Sequence, residues 1–431
     1  MFMTRRDFLG GVSASALLSG CAGFRPGAEI GGVLPAWRPG ELELHFVYTG
    51  CGENMFYRLP DGTSVLNDTG EFYRPRDLKD VPLLPSRARL GGDWMTRYLH
   101  RVYDERTIDY AIFSHWHSDH IGHARWEGDG KTDVRPNESY RYRVTKDGRK
   151  INGFLCVAED FGFRRYFDHQ YPARGTYLSQ DSSMDLLAPW VEDGRKKGLS
   201  VEPFEVGALD QIALLRADAA KYKGLFSIRN VCANGRLWDG GRGSVDFAAE
   251  RLAASGKKRL DQNFLSLGFL LRYGKFSYWA GGDASGVFRG KDGAVVDYEA
   301  EIGKRIGPVS VCKMNHHGCR DQMTEGFVRA VRAQAYVSCM WCPRQAHHEV
   351  LKRLVEVGSH DGGEPILAPQ LVCAYHKEHE RECGYALPPV GASHVVVKVQ
   401  PGGDAFKVYL LDVTDESMRV KAVYGRNCSN A

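Results

Sequence analysis

A chain of 431 residues, 43% of them hydrophobic, can bury one large core or two ordinary ones and has the composition of a globular protein. Its 57 Lys and Arg nearly cancel its 53 Asp and Glu, so no strong field favours nucleic acid or a membrane surface. That balance weighs against a dedicated nucleic-acid binder.

The chain opens with MFMTRRDFLGGVSASALLSGCAG: a basic pair, a short apolar stretch from Phe8 to Leu18, then Cys21. The stretch falls short of the about 20 apolar residues that a spanning helix needs. Residues 1–20 are therefore expected to be a cleaved export signal and 21–40 a Gly/Pro-rich tether, leaving 41–431 as one domain. TRRDFL resembles a twin-arginine export signal and LSGC a lipoprotein box. Together they imply a chain exported already folded, lipidated at Cys21 and held on a membrane in the periplasm or another extracytoplasmic space. Ten further cysteines leave disulfide pairing open. Cys339 and Cys342, in SCMWCP, read as small buried thiols or a disulfide, because no second C-x-x-C accompanies them.

The first predicted strand is ELELHFVYTG, whose alternation suits a half-buried strand. GTSVLNDTG reads as a second, ending at Asp68, and the apolar run from Ile108 to Phe113 as a third, which delivers its histidines at its C-terminal end. From about 125 to 260 the pattern loosens into an expected insertion. It holds a polar hairpin near 135–153 and a helix in ALDQIALLRADAAKY, from the spacing of Leu209, Ile212, Ala213 and Leu215. Two strands joined at Tyr273-Gly274-Lys275 follow, then a strand in VSVCKM, a helix in TEGFVRAVRAQ and a strand in AYVSCM. The helix of AHHEVLKRLVEVG comes next, and a C-terminal hairpin turns at Gly402-Gly403. Strands first, then strands alternating with helices, suggest a layered α/β fold.

SHWHSDHIGH, Ser114 to His123, holds four histidines and an aspartate in ten residues. By composition such an H-x-H-x-D-H run is expected by chance in about one in a thousand chains of this length. Imidazole nitrogen and carboxylate oxygen suit zinc and its first-row neighbours. His115 and His117 alternate along an extended segment, so they can share one ion. Asp119 and His120 follow on a turn that can serve a second.

These residues resemble the signature of the metallo-β-lactamase superfamily. LNDTG at Asp68, WAGGD at Asp283 and MNHHG near the end resemble, in order, its first motif, its metal-bridging aspartate and its last histidine motif. The resemblance implies a four-layer αββα sandwich with the insertion placed before the strand of the bridging aspartate. It also implies two divalent ions, zinc or alternatively manganese or iron. The implied ligands are His115, His117, Asp119, His120, Asp283 and one of His316 and His317, because adjacent residues leaving a strand point opposite ways; His317 is preferred because His-Gly in that register resembles the ligand position of related nucleases. A further ligand expected between the second motif and the bridging aspartate falls on His169. Asp68 is expected to support the ligands through hydrogen bonds. DQNFLSLGFLLRYGKFSYWAGGD with NHHG is similar to the branch holding the hydrolase domain of DNA-uptake channels and phosphorylcholine esterases, with Asn263 and Ser266 in its pattern. This chain has Cys319 where the branch often has Ser. His347, opening a predicted helix, is a candidate for anion binding or leaving-group protonation.

The expected chemistry is hydrolysis by a metal-activated water, attacking a phosphodiester of small-molecule or envelope origin, with Asp119 and Asp68 in the machinery. A carboxylic ester, lactone, thioester or β-lactam is the alternative substrate. A surface lipoprotein with a structural metal is the alternative of another class.

Overall fold

The strand Leu42–Phe46 is buried along its whole length, not on one face only. Its polar members are the reason: Oε2 of Glu43 lies 2.9 Å from Nε2 of His45, whose Nδ1 meets the Tyr98 hydroxyl at 2.8 Å, and Lys398 pairs with Glu43. Buried polar groups persist where each finds a partner. The computed structural model describes residues 29–72, 74–122, 124–126, 141–169, 182–255, 259–290, 292–358 and 363–428. The expected export signal, Cys21 and His123 lie outside the described residues.

The protein is a mixed α/β fold with two large sheets. The nine-stranded sheet runs Val420–Asn427, Ala405–Leu411, His394–Val399, Leu42–Phe46, Asn54–Arg58, Ser64–Thr69, Thr107–Phe113, Gly162–Asp168, Ser200–Pro203. The eight-stranded sheet runs Ser244–Asp246, Arg236–Trp238, Phe226–Ala233, Gly268–Tyr273, Phe276–Ala280, Val311–Lys313, Ala335–Ser338, Ile366–Pro369. One apolar cluster joins residues of both, including Leu44, Met55, Ile112, Phe269, Val311 and Val397, so the sheets pack face to face. Hydroxyls of Tyr57 and Tyr278 meet across that core at 2.9 Å.

A second cluster lies on the outer face of the nine-stranded sheet, where helix Gly91–Val102 buries Met95, Tyr98 and Leu99. Each such side chain contributes roughly 1.5–3 kcal/mol. The third covers the outer face of the eight-stranded sheet with helices Tyr298–Ile306, Glu325–Val331 and His348–Val357. Among the described residues no helix is long and apolar enough to cross a membrane.

Residues 125–260 are more than an insertion. They supply Gly162–Asp168, paired in parallel with Thr107–Phe113, and Phe226–Ala233, paired with Gly268–Tyr273. The helix expected over 208–222 is absent, and only the 3₁₀ segment Ala217–Tyr222 forms. Side chains of a neighbouring strand and of the turn before Ser64–Thr69 take N–H groups that a helix would use. Ala213 donates to the Tyr110 hydroxyl (3.1 Å), Leu215 to Oγ1 of Thr63 (2.8 Å) and Arg216 to Asp61 (2.9 Å). Tertiary contacts override helical spacing here.

The parallel strands fix the position of the site. Ser64–Thr69, Thr107–Phe113 and Gly162–Asp168 are mutually parallel in one sheet, as are Phe276–Ala280, Val311–Lys313 and Ala335–Ser338 in the other. Loops at the carboxyl ends of such strands are where α/β folds collect ligands. Asp68, His115, His169, Asp283, His317 and Cys339 all lie at or just beyond these ends.

Candidate metal centre

Beyond Phe113 the chain leaves its strand, and His117 caps the four-residue helix Ser118–Ile121, which carries Asp119 and His120. Backbone contacts hold this turn: Glu53 and Glu71 donate their N–H groups to the carbonyls of Asp119 (2.7 Å) and Ser118 (2.9 Å). Gly70 is required beneath it, because a Cβ there would stand 1.8 Å from the Asp119 carbonyl oxygen. On the other sheet, Gly282 has φ +52, and a Cβ on it would strike Ser114 at 2.4 Å.

Four ligand atoms converge. Oδ2 of Asp283 lies 3.2 Å from Nε2 of His120 and 3.5 Å from Nε2 of His317; Oδ2 of Asp119 lies 3.1 Å from Nε2 of His317 and 3.8 Å from Nε2 of His120. Neighbouring ligand atoms of a tetrahedral site with bonds of about 2.1 Å stand about 3.4 Å apart. The spacing thus suits a single first-row cation. Nε2 of His120 is buried without a hydrogen-bond partner among the described residues, although Asp283 is so near. A buried imidazole nitrogen and a carboxylate oxygen this close need a positive charge between them, a proton or a metal ion.

The other ring nitrogens are committed. Nδ1 of His120 meets Oδ2 of Asp68 at 2.9 Å, and Nδ1 of His317 meets the Cys339 carbonyl at 3.1 Å. Each Nδ1 therefore carries the hydrogen in the neutral ring, and each Nε2 offers its lone pair. Asp68, at φ +54, also accepts the N–H and the hydroxyl of Ser114, both at 2.7 Å. Asp68 thus stands on the Nδ1 side of His120, away from the converging atoms.

A second pair adjoins the first group. Nε2 of His115 and Nδ1 of His117 are 3.0 Å apart, and Nε2 of His115 is 3.9 Å from Oδ2 of Asp283. Asp283 is therefore common to both groups. Its backbone N–H donates to Oγ of Ser266 (3.1 Å), which also lies 3.3 Å from Nδ1 of His115.

Burial raises the cost of every charge here, yet the groups hold one another. Against burial, His120 and His317 keep Asp283 and Asp119 well below the usual carboxylate range. Against the same penalty, Asp283, Asp119 and Glu53 lift His317 to about 9. His115 has the opposite fate: burial, then His120 and His117, hold it well below an ordinary histidine.

Glu53 was not foreseen. Glu53, His120, Asp283 and His317 each bring one ligand atom within 4.8 Å of the others, so this buried foursome can also be drawn around an ion. Asp119 is the better fourth corner. Oε2 of Glu53 is already 2.8 Å from the buried ammonium of Lys313, and it approaches His317 from the Nδ1 side, at 3.4 Å.

His316 and His317 do not alternate as residues leaving a strand would. Both have positive φ, 46° and 56°, in a tight turn, and both imidazoles approach Asp283. They differ in their surroundings: His317 is buried and anchored, whereas the His316 side chain is 28% exposed, with Nε2 3.2 Å from Nδ2 of Asn263. Such left-handed pairs are strained, and strain of this kind gathers at functional sites.

His169 is buried near His115 and His117, apart from the four converging atoms. Its Nδ1 meets Oδ1 of Asn234 at 2.8 Å, its Nε2 meets Oε1 of Gln262 at 3.1 Å, and its ring packs on Trp116. His347 caps helix His348–Val357, its Nδ1 accepting the Glu349 N–H at 3.3 Å. Its ring neighbours are His348 and Tyr375, outside the cluster. Cys339 and Cys342 are free thiols. Beside the cluster stands Trp341, its Nε1 3.4 Å from Nε2 of His317, with Phe72 edge-on at 5.0 Å and Arg74 over the indole at 5.1 Å.

The chain matches no model of a known protein family, and no curated protein matches it.

Proposed function

We propose that this protein is a dinuclear metal-dependent hydrolase of the metallo-β-lactamase type, acting on phosphodiester bonds. The observation that carries the proposal is the position of Asp283: one carboxylate oxygen within 3.2–3.9 Å of Nε2 of His120, His317 and His115. Two face-to-face sheets with helices outside agree with the four-layer sandwich that the motif order implies. His120, His317, Asp119 and Asp283 would hold one ion, and His115 and His117 the other, with Asp283 shared. A pair of divalent cations supplies Lewis acidity and an acidified water at neutral pH.

The chain's own residues do the rest. Asp68 and the Cys339 carbonyl fix the ring orientation of His120 and His317. His316 takes the amide of Asn263 at Nε2, so in the neutral ring its Nδ1 carries the hydrogen. That Nδ1 is buried and has no partner among the described residues. Trp341 and Phe72 form an apolar wall that limits water. Phosphodiesters are placed ahead of carboxylic esters, thioesters and β-lactams because NHHG resembles the final motif of the phosphodiester-cleaving branch. Membrane attachment through Cys21 after export remains part of the proposal on its sequence pattern alone.

Metal-loaded protein is expected to hydrolyse bis-p-nitrophenyl phosphate and to leave nitrocefin and thioesters intact. Turnover of nitrocefin or thioester alone would reassign the substrate. Bound metal without turnover on any of them would replace the enzyme by a structural metalloprotein.

A further inference from the structure

Lys313 is an anomaly of the fold. It lies in the parallel strand Val311–Lys313, fully buried, where apolar residues are the rule. Its ammonium donates to the Gly282 carbonyl at 2.7 Å, pairs with Oε2 of Glu53 at 2.8 Å and stands 3.6 Å from Oδ1 of Asp283. Replacing buried ion pairs by well-packed apolar groups is often neutral or stabilising, so such a pair calls for another reason.

The geometry supplies one. Asp283 has two faces: Oδ2 is turned to four imidazoles, those of His115, His120, His316 and His317, and Oδ1 to Lys313, without a hydrogen-bond partner among the described residues. Glu53 stands on that same inner side, against Nδ1 of His317. A cation entering from outside meets Oδ2 of Asp283 and Nε2 of His317, while the inner carboxylate oxygens already have a positive partner. Gly282, whose carbonyl Lys313 also holds, directly precedes Asp283 in the chain.

We propose that Lys313 is a positioning residue, a built-in cation that engages Glu53 and the inner oxygen of Asp283 so that only the outer oxygen of Asp283 is presented to metal ions. The proposal rests on the metal-centre reading above and adds to it the division of Asp283 between a permanent internal cation and exchangeable external ones. Glu53 is the counter-charge that makes a buried lysine tolerable, and Lys313 in turn keeps Glu53 from becoming a ligand.

The test uses cobalt(II) as the probe ion and reads metal affinity and the visible spectrum of the bound ion. Lys313→Met strands Glu53 and is expected to destabilise the fold, so the informative variant is the double one, Glu53→Gln with Lys313→Met. It removes one charge of each sign and leaves the net charge unchanged. Thermal stability of the double variant is expected to return towards that of the parent. Its cobalt affinity is expected to stay at least about tenfold weaker, with an altered spectrum, because Asp283 has lost its inner anchor. A double variant that binds cobalt with the parental affinity and spectrum would overturn the proposal and reduce Lys313 to a counter-ion for Glu53. A double variant that fails to fold would overturn it too, because the pair would then be a requirement of the core. If the parent chain takes up no cobalt, the metal-centre reading itself fails, and this inference with it.

Discussion

Oδ2 of Asp68 lies 2.9 Å from Nδ1 of His120, while Oδ1 takes the N–H of Ser114 at 2.7 Å. Both oxygens are thus filled with donors, the Ser114 hydroxyl included. Asn at this position keeps the shape but offers one acceptor oxygen in place of two. Asp68→Asn is expected to leave the fold intact and to weaken metal binding by about 10–100-fold. Calorimetric titration of the metal-free variant checks it, and unchanged affinity would show that the tautomer of His120 is set elsewhere.

Asp283 is shared by two ligand groups, whereas His115 belongs to one. His115→Ala is therefore expected to halve the bound metal, and Asp283→Ala to abolish it, with phosphodiesterase activity falling by more than about a hundredfold in both. Elemental analysis of the dialysed proteins separates the two. Equal loss of metal in both variants would argue for one ion in place of two.

In the metal-free chain His317 titrates at about 9, because Asp283, Asp119 and Glu53 outweigh the burial that opposes its charge. A cation needs the neutral ring, so uptake must displace at least one proton below that pH. Against burial, Asp283 and Asp119 also hold His120 well above an ordinary histidine, so a second proton must leave, and affinity is expected to rise by more than about tenfold per pH unit from 7. The protonated ring of His317 also stabilises the metal-free fold. That contribution is complete below the unfolded value near ~6.5 and is lost as pH rises through about 9. Melting temperatures of metal-free protein at pH 6.5 and 9.5 should fall in that order, and loaded protein should lack this histidine's contribution to the trend.

Trp279 is fully buried, and its Nε1 donates to Oδ1 of Asn315 at 2.9 Å, at the root of the turn that carries His316 and His317. Trp279→Phe keeps most of the volume but strands that amide oxygen. It is expected to cost about 1–3 kcal/mol and to weaken metal binding, whereas Trp279→Ala should cost about 3–5 kcal/mol. Denaturant unfolding gives both values. A Phe variant with undiminished metal affinity would separate core from site.

Much of the cluster was legible because its residues announce themselves locally. His115, His117, Asp119 and His120 sit within one hexapeptide, Asp68 ends a strand shortly before Gly70, and Asp283 follows an apolar run and two glycines. Glu53 was not legible: a lone carboxylate in GCGENMF has no period or partner in sequence, and only the fold brings Lys313 to it. Lys313 did leave a trace, a charge inside the apolar run VSVCKM. The positions of His316 and His317 escaped because strand alternation stops where φ turns positive. The helix expected over 208–222 failed for the same kind of reason, since its N–H groups answer to Tyr110, Thr63 and Asp61, residues remote in sequence. Residues 125–260 looked loose because the strands they give to both sheets are short or border polar loops.

His115, Asp119 and His120 follow one sheet and Asp283 and His317 the other, so an ion at this place would act as a clasp across the two halves of the molecule. Neither half can assemble the clasp alone, and a chain whose sheets have yet to dock has nothing to close on. Loading would then stiffen the seam between the sheets, adding about 2.7 kcal/mol when free metal stands a hundredfold above its dissociation constant. The seam at the carboxyl ends would be the first place to gape when the metal is withdrawn.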